Sequence, residues 1–578
     1  MKSNVLCPKL LLLAALPVLG MLTPKQAVAL PAPDLQARLL SDIAFQYAKL
    51  GDSQQAIAIS QQALEAAEAM QPCFKANSLA KVAGSYWLVG QEAEGRRRVT
   101  EAIETARTQE ATGCSSSATS PTESLMNRAG EFSDEGQFEL AIALGSGMGN
   151  PLTLSLIAVD LLDVGQSQRA DELLKKAIAQ AHKIDDAIAQ THKIDDAYYL
   201  TQTLSNMSMN LALAGHPEPA KVVLEQAILS AETLNTENPE KAALQGHALL
   251  GTIRQLTELG ANDRVIALLD QTLSQIRNRP AEPFPLDKAD QFVDAALLYQ
   301  QVGLNDKAVA TLAEAYQFAR AIVPNASYGQ ADANALGRVA VGYAKIGNVE
   351  RAMQIIQEIS PVSERQRALG EIAIAYAAAG NLEAAVKLAQ SNPNRNGAMI
   401  GIVRHYLQQK QPEQAWQIVQ AHQVKGMLSE VAVGYLDVGQ PERALQLAQT
   451  GKLEGFMPDI VQGYAESGQP EQALQVAQSE EIPWLLPSVV QGFAQQGQFD
   501  VALQTAQSIS DPVDRAQALI AIAHAYAEPQ AKAQGPISRF MQQMQNWVVG
   551  LFGTSDRERA AEVLVQALQA TQSISSAK

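Results

Sequence analysis

The sequence predicts an all-α protein, an α-solenoid of about fourteen stacked helical hairpins. Three observations predict it. One spaced skeleton of residues recurs through most of the 578-residue chain. Hydrophobic residues make up 47% of the chain but aromatics only 5%, and Ala carries much of the rest. That balance suits closely packed helices better than a β-sandwich, which wants β-branched and aromatic side chains. Finally, nearly every copy of the skeleton holds a Gly at the same place, where one helix has to stop and the next begin.

The skeleton is clearest where four stretches align without a gap at 29 residues, from Ala398, Met427, Phe456 and Leu485. The second contains VAVGYLDVGQPERALQLAQ, the third IVQGYAESGQPEQALQVAQ and the fourth VVQGFAQQGQFDVALQTAQ. They share small/apolar-x-x-aromatic-x-x-x-Gly-x-x-x-x-Ala. Ala44, Tyr47, Gly51 and Ala56 fit it, as do Ala296, Tyr299, Gly303 and Ala308. So do the sets ending at Ala352, Ala385 and Ala444, with turns at Gly347, Gly380 and Gly439. Weaker copies turn at Gly90, Gly136, Gly165, Gly215 and Gly260. At Lys410 the Gly is lost, although Tyr406 and Ala415 keep the register, and a final copy begins at Ala523 and Tyr526.

The first two skeleton positions lie three apart, on one face of a first helix. The Gly ends that helix, and Asp, Asn or Gln-Pro then starts the next. The Ala five residues past the Gly faces back across the hairpin, and its small size lets the two helices approach. A single hairpin cannot bury its apolar face alone, so neighbours must stack.

This skeleton resembles the tetratricopeptide repeat, whose small-residue, aromatic, Gly and Ala positions it reproduces at the same spacing over roughly residues 35–527. It departs from the family in length: the turns fall 29 to 33 residues apart in the C-terminal half and 29 to 50 in the N-terminal half. The family's Trp near the start of the unit and Pro at its end are mostly absent. A HEAT-like or mixed solenoid is the alternative.

Two loop-rich stretches punctuate the array. One is Gln109 to Ser124. The other is the Pro-rich 279–287, with Pro280, Pro283 and Pro285, expected to divide an N-terminal sub-solenoid (30–278) of long units from a C-terminal one (288–535) of short units. Beyond lie an inserted amphipathic helix, 536–553, and a closing helix, 554–578. In the insert, Phe540, Met544, Trp547 and Leu551 share one apolar face. It is expected to cover the open end of the array, or else to dock a partner.

Residues 1–29 read as a secretory signal: Lys2 and Lys9, an apolar run from Leu10 to Leu22, and an Ala27-Val28-Ala29 cleavage site. The mature chain is then expected in the periplasm, in the thylakoid lumen of a photosynthetic organism, or secreted, with no membrane span. The full chain carries a net charge of −16; without Lys2, Lys9 and Lys25, 41 basic residues face 60 acidic ones, a charge of −19. That argues against nucleic acid or an anionic membrane as partner. Of three Cys, Cys7 leaves with the signal. Cys73 and Cys114 remain in an oxidising compartment, either bonded or as free thiols; a bond would contribute about 4 kcal/mol.

Residue patterns for chemistry are sparse. There is no HExxH, G-x-S-x-G or P-loop. GSGMGN at Gly145 follows a helical stretch, not the strand that a dinucleotide loop needs. The duplicated AIAQAHKIDD and AIAQTHKIDD, from Ala177 and Ala187, offer His182, Asp186, His192 and Asp196. Ten residues of helix leave the copies about 80° apart, so a lengthened helix is expected rather than a metal site. Arg96-Arg97-Arg98 reads as a solvated face. The chain is therefore expected to be no enzyme and to hold no cofactor.

The resemblance implies a groove walled by the first helices. The matching positions are Phe45, Lys49, Arg254, Lys345, Ile374, Arg404, Gln462, Glu466, Gln491 and Gln495. None of the positions directly after the small residue is Asn, so the family's clamp for a peptide C-terminal carboxylate is not expected. The wall suits an extended or helical peptide segment. The expected function is an interaction scaffold or assembly factor for an envelope or membrane complex. The alternatives are an accessory subunit of a cell-envelope or polysaccharide enzyme system and a purely structural repeat protein.

Overall fold

The skeleton Gly residues end their helices in the left-handed region, with φ of +79° at Gly51 and +82° at Gly303. After Gly303, the Leu304 N–H reaches back to the Tyr299 carbonyl at 2.8 Å while the Gly303 N–H bonds the Gln300 carbonyl at 3.0 Å. This double bond pattern satisfies the last carbonyls of the helix and reverses the chain. The skeleton Ala then lies across the hairpin: Ala56, Ala308, Ala352, Ala385 and Ala444 have no exposed surface.

A computed structural model describes residues 32–70, 72–111, 120–189, 196–234, 239–280, 285–322, 331–360, 362–527 and 554–576. Among these residues lie 28 α-helices and no strand, which pair into fourteen hairpins. The first are α1 (Ala32–Lys49), α2 (Ser53–Glu68), α3 (Pro72–Leu88), α4 (Glu92–Ala111), α5 (Pro121–Asp134) and α6 (Phe138–Met148). Next come α7 (Pro151–Asp163), α8 (Ser167–Ala189), α9 (Asp196–Leu213), α10 (Pro217–Glu232), α11 (Pro239–Glu258) and α12 (Asn262–Asn278). Then follow α13 (Pro285–Gln301), α14 (Asn305–Ala321), α15 (Ala331–Lys345), α16 (Val349–Glu358), α17 (Val362–Ala378) and α18 (Leu382–Ser391). The short units hold α19 (Arg395–Gln408), α20 (Pro412–His422), α21 (Leu428–Asp437), α22 (Pro441–Gly451), α23 (Met457–Glu466) and α24 (Pro470–Ser479). The series ends with α25 (Leu486–Gln495), α26 (Phe499–Ser508), α27 (Pro512–Ala527) and α28 (Thr554–Ser576). Odd-numbered helices are the first of each hairpin and even-numbered ones the second. The fold is a helical-hairpin repeat.

The chain divides into two compact units. One spans Asn150–Gly434. In it each first helix packs on its own second helix and on the next first helix, from α7 through α9, α11, α13, α15 and α17 to α19. Of the Pro-rich 279–287, Arg279 and Pro280 follow α12 and Pro285 opens α13, all inside this unit.

The other unit joins the described residues from Ala32 to Gly149 with those from Tyr435 onward. Here α1 packs on α27 and α28 as well as on α2 and α3. Leu39, Ala516 and Ala570 form a small core, with Val513, Ile520 and Ile574 against it. The Tyr47 hydroxyl donates to the Ala561 carbonyl at 3.5 Å. The first and last hairpins therefore cover each other's apolar faces. The sequence reading gave the task of covering the array's end to 536–553; that segment lies outside the described residues.

In the 29-residue units the second helices are short. Gln423, Lys452 and Glu481 adopt φ of +52°, +54° and +54°, one unit apart, and each stops a second helix after ten or eleven residues. In the N-terminal part, α2 and α10 run for 16 residues. The second helices of the C-terminal units are short whether they end in a left-handed residue or, like α16 and α18, in an extended one.

Candidate functional site

The first helices carry polar side chains that tie each to its neighbour. Arg254 on α11 faces Asp294 on α13 at 3.5 Å, and Asp290 on α13 pairs with Arg338 on α15 at 3.2 Å. Arg367 on α17 donates to Asn334 on α15 at 2.8 Å and holds Glu364 and Glu371 of its own helix. Arg404 on α19 grips Glu430 on α21 through two bonds of 2.8 and 2.7 Å, which hold the Glu430 carboxyl below its usual range. In the other unit, Lys81 on α3 pairs with Asp42 on α1, and Arg128 on α5 donates to Asn77 on α3 at 3.1 Å. The charges of this wall are spent on one another.

What this leaves for a ligand is clearest on α9. Tyr199, Met209 and Leu213 are 38%, 44% and 55% exposed. Helical geometry puts the three within an arc of about 80°. Gln202 and Asn206, also exposed, lie within the same arc. The strip alternates apolar surface with amide groups able both to donate and to accept hydrogen bonds. Sequence reasoning missed it because α9 holds no strong copy of the skeleton. An apolar residue at position 213, two residues before Gly215 and off the buried face, was the available signal.

The residues expected to wall a groove separate into several situations. Phe45 is not at a surface: it is 2% exposed, against Phe132 with ring centroids 5.6 Å apart. Gly84 makes room for it, since a Cβ there would lie 2.7 Å from the Phe45 ring. Ile374 is half-buried and reaches over Gly401 of the next hairpin. Arg254 and Arg404 are exposed but paired, as above. Gln462 donates to Glu466 at 2.7 Å on the surface of α23, and Gln491, Gln495 and Lys345 are exposed.

Lys49 belongs to a different arrangement. Its ammonium lies 2.9 Å from the Glu135 carboxylate and 3.2 Å from His524 Nε2. His524 Nε2 lies 3.8 Å from the same carboxylate oxygen. The three come from the end of α1, the turn after α5, and α27. Burial alone would raise the Glu135 carboxyl, but His524 and Lys49 outweigh it and hold the group below the usual carboxylate range. The cluster ties sequence-distant helices within one unit.

The side chain of Cys73 and all of Cys114 lie outside the described residues, as do residues 1–29 and Phe540, Met544, Trp547 and Leu551. Among the described residues no three His, Cys, Asp or Glu groups are placed to hold a metal ion, and no helix is long and apolar enough to cross a membrane. His182 is exposed.

No family model and no curated protein matches the chain. Among solved structures it is similar to Ton1535 from Thermococcus onnurineus NA1, at 14% identity over 64% of this chain and 98% of that one, with a TM-score of 0.27. It is also similar to a circular tandem repeat protein, at 15% identity over 94% and 97% of the two chains and a TM-score of 0.20. A third is Naa15/Naa10 bound to HypK-THB, at 12% identity over 89% and 92%, with a TM-score of 0.21. At these scores the likenesses say nothing of binding or activity.

Proposed function

We propose that this chain is an exported, non-catalytic scaffold of the tetratricopeptide type that holds a peptide segment of a partner protein along its first helices. The observation that carries the reading is the strip on α9. Its apolar side chains and unspent amides match what an extended peptide offers, which is apolar side chains and a backbone of donors and acceptors. The neighbouring charges are already paired, so they add selectivity against misplaced charge more than affinity. The acidic balance of the chain favours a protein over a polyanion. The compartment follows from the N-terminal signal: a periplasm, a thylakoid lumen or the exterior, where such a scaffold would assemble an envelope or membrane complex.

The test is crosslinking and affinity capture of the tagged full-length chain from its native envelope fraction, beside a variant carrying Met209→Glu and Leu213→Glu. Both substitutions are at exposed positions and leave the core intact. Enrichment of one or a few envelope proteins by the native chain, lost in the variant, supports the reading. Equal capture by both moves the binding surface away from α9. No enrichment over a tagged control overturns the scaffold.

A further inference from the structure

At the junction of α12 and α13 two cations are buried that have no carboxylate partner among the described residues. Lys288, in the first turn of α13, is 7% exposed, and Arg279, just past α12, is 8% exposed. The Lys288 ammonium donates to the carbonyls of Arg277 at 3.0 Å and Arg279 at 2.5 Å. It also lies 5.4 Å from the centre of the Phe318 ring. Both terminal nitrogens of the Arg279 guanidinium are buried without a hydrogen-bond partner. Among the described residues neither cation makes an ion pair; Asp287 is the one acid whose charge acts on Arg279. Burial lowers the proton affinity of Lys288, and the nearby Arg279 charge lowers it further.

Buried charge is costly unless it is paired, and the unmet nitrogens of Arg279 add to that cost. A cation at this place is not unique, since Arg515 in the first turn of α27 likewise donates to the Ile509 carbonyl at 3.2 Å, but Arg515 is only half-buried whereas Lys288 is enclosed.

Lys288 also forms part of the floor of a wide, open surface pocket of about 450 Å³ between α12, α13 and α14. The same pocket is lined by Phe292, Phe318, Ala310 and Ala313, with Gln317 at its edge. The Phe292 and Phe318 rings stand 6.2 Å apart at 45°. Arg277 and Glu314 also border it, but they satisfy each other through bonds of 2.8 and 2.7 Å. The pocket therefore joins an aromatic and Ala-lined body to one unpaired, nearly buried ammonium. Its size falls within the range of small-ligand sites.

We propose that this pocket binds a small organic acid, a carboxylate carried on an aromatic or short acyl body. The carboxylate sits at Lys288, in the field of Arg279, and the body lies against Phe292 and Phe318. The acid supplies a carboxylate for the Lys288 ammonium, whose only hydrogen bonds among the described residues are to two backbone carbonyls. Inorganic anions meet only half of the site, and neutral aromatics meet only the other half. Such a ligand would stiffen one hairpin junction within the Asn150–Gly434 unit, well separated in sequence from the α9 strip.

The experiment uses the full chain and fluorine NMR of 4-fluorophenylacetate, with neutral 4-fluorobenzyl alcohol and inorganic phosphate as comparisons. Saturable binding of the acid is expected, at least ten-fold tighter than that of the alcohol and poorly competed by phosphate. Lys288→Met should weaken it ten-fold or more. Ala313→Trp, at an exposed position that touches none of the Lys288 bonds, should block it by filling the pocket; this variant carries the test if Lys288→Met fails to fold. Equal binding of acid and alcohol, competition by phosphate alone, unchanged binding in Ala313→Trp, or no binding at millimolar acid would each overturn the proposal.

Discussion

Lys410 shows how a single residue can depart from a pattern while the backbone keeps it. It stands where other copies have Gly, and it takes the same left-handed conformation, with φ of +55°. A side chain there costs about 1–2 kcal/mol, part of which Gly would give back as chain entropy. Lys410→Gly is therefore expected to stabilise the protein by about 0.5–1 kcal/mol, read as a rise in the denaturation midpoint. Gly84 is the opposite case. It lies inside α3, where helix propensity would favour Ala, yet the rings of Phe45 and Phe132 fill the space beside it. Gly84→Val should destabilise by about 1–3 kcal/mol through overpacking, measured by thermal melting. The turn glycines were legible because their role is local. The burial of Phe45 was not, because it depends on a gap left by Gly84 in the next hairpin. Nor were Gln423, Lys452 and Glu481 recognisable as helix stops, since these residue types do not advertise a positive φ. A Lys at 288 was visible, but its enclosure needed the fold.

At the scale of elements, second helices are stitched to one another much as the first helices are. Lys307 on α14 pairs with Asp270 on α12 at 2.7 Å, Arg277 on α12 with Glu314 on α14 at 2.7 Å, and Arg320 on α14 with Glu358 on α16 at 3.6 Å. These pairs are about half exposed, so each contributes little, roughly 0–1 kcal/mol; they fix register more than they stabilise. The Lys49, Glu135 and His524 cluster is more enclosed. Because the folded state depresses the Glu135 carboxyl, the unfolded chain binds its proton more readily. Its contribution is complete above the ordinary Glu range and is lost as pH falls through the depressed value. Glu135→Gln is expected to cost on the order of 1–3 kcal/mol at neutral pH and to flatten the acid limb of stability, as measured by chemical denaturation between neutral and strongly acidic pH. Lys49 was picked from the sequence as a groove residue on its place in the repeat. Its partners come from the turn after α5 and from α27, and no spacing rule brings residues 49, 135 and 524 together.

At the scale of the whole molecule, the fourteen hairpins and their order were readable from periodicity alone, because each repeat records its own helices, turn and small contact residues. The packing of α1 on α27 and α28 was not, since nothing in the apolar pattern of Leu39 names Ala516 or Ala570 as its neighbour. Removing residues 554–578 should expose that face of α1. The truncated chain is expected to melt at lower temperature and to self-associate, as seen by calorimetry and light scattering, whereas loss of an exposed turn would do neither. The pairing also has a direction. Leu39 meets Ala570 and Tyr47 meets Ala561, so the two helices run antiparallel and Ala32 lies beside the end of α28 at Ser576. A chain whose order is permuted, with Ser576 linked to Ala32 by a short flexible bridge and new ends opened at the exposed turn of Gly303, should recover the same helices and the same cores. In this protein, the place where synthesis starts is then separable from the place where the architecture does.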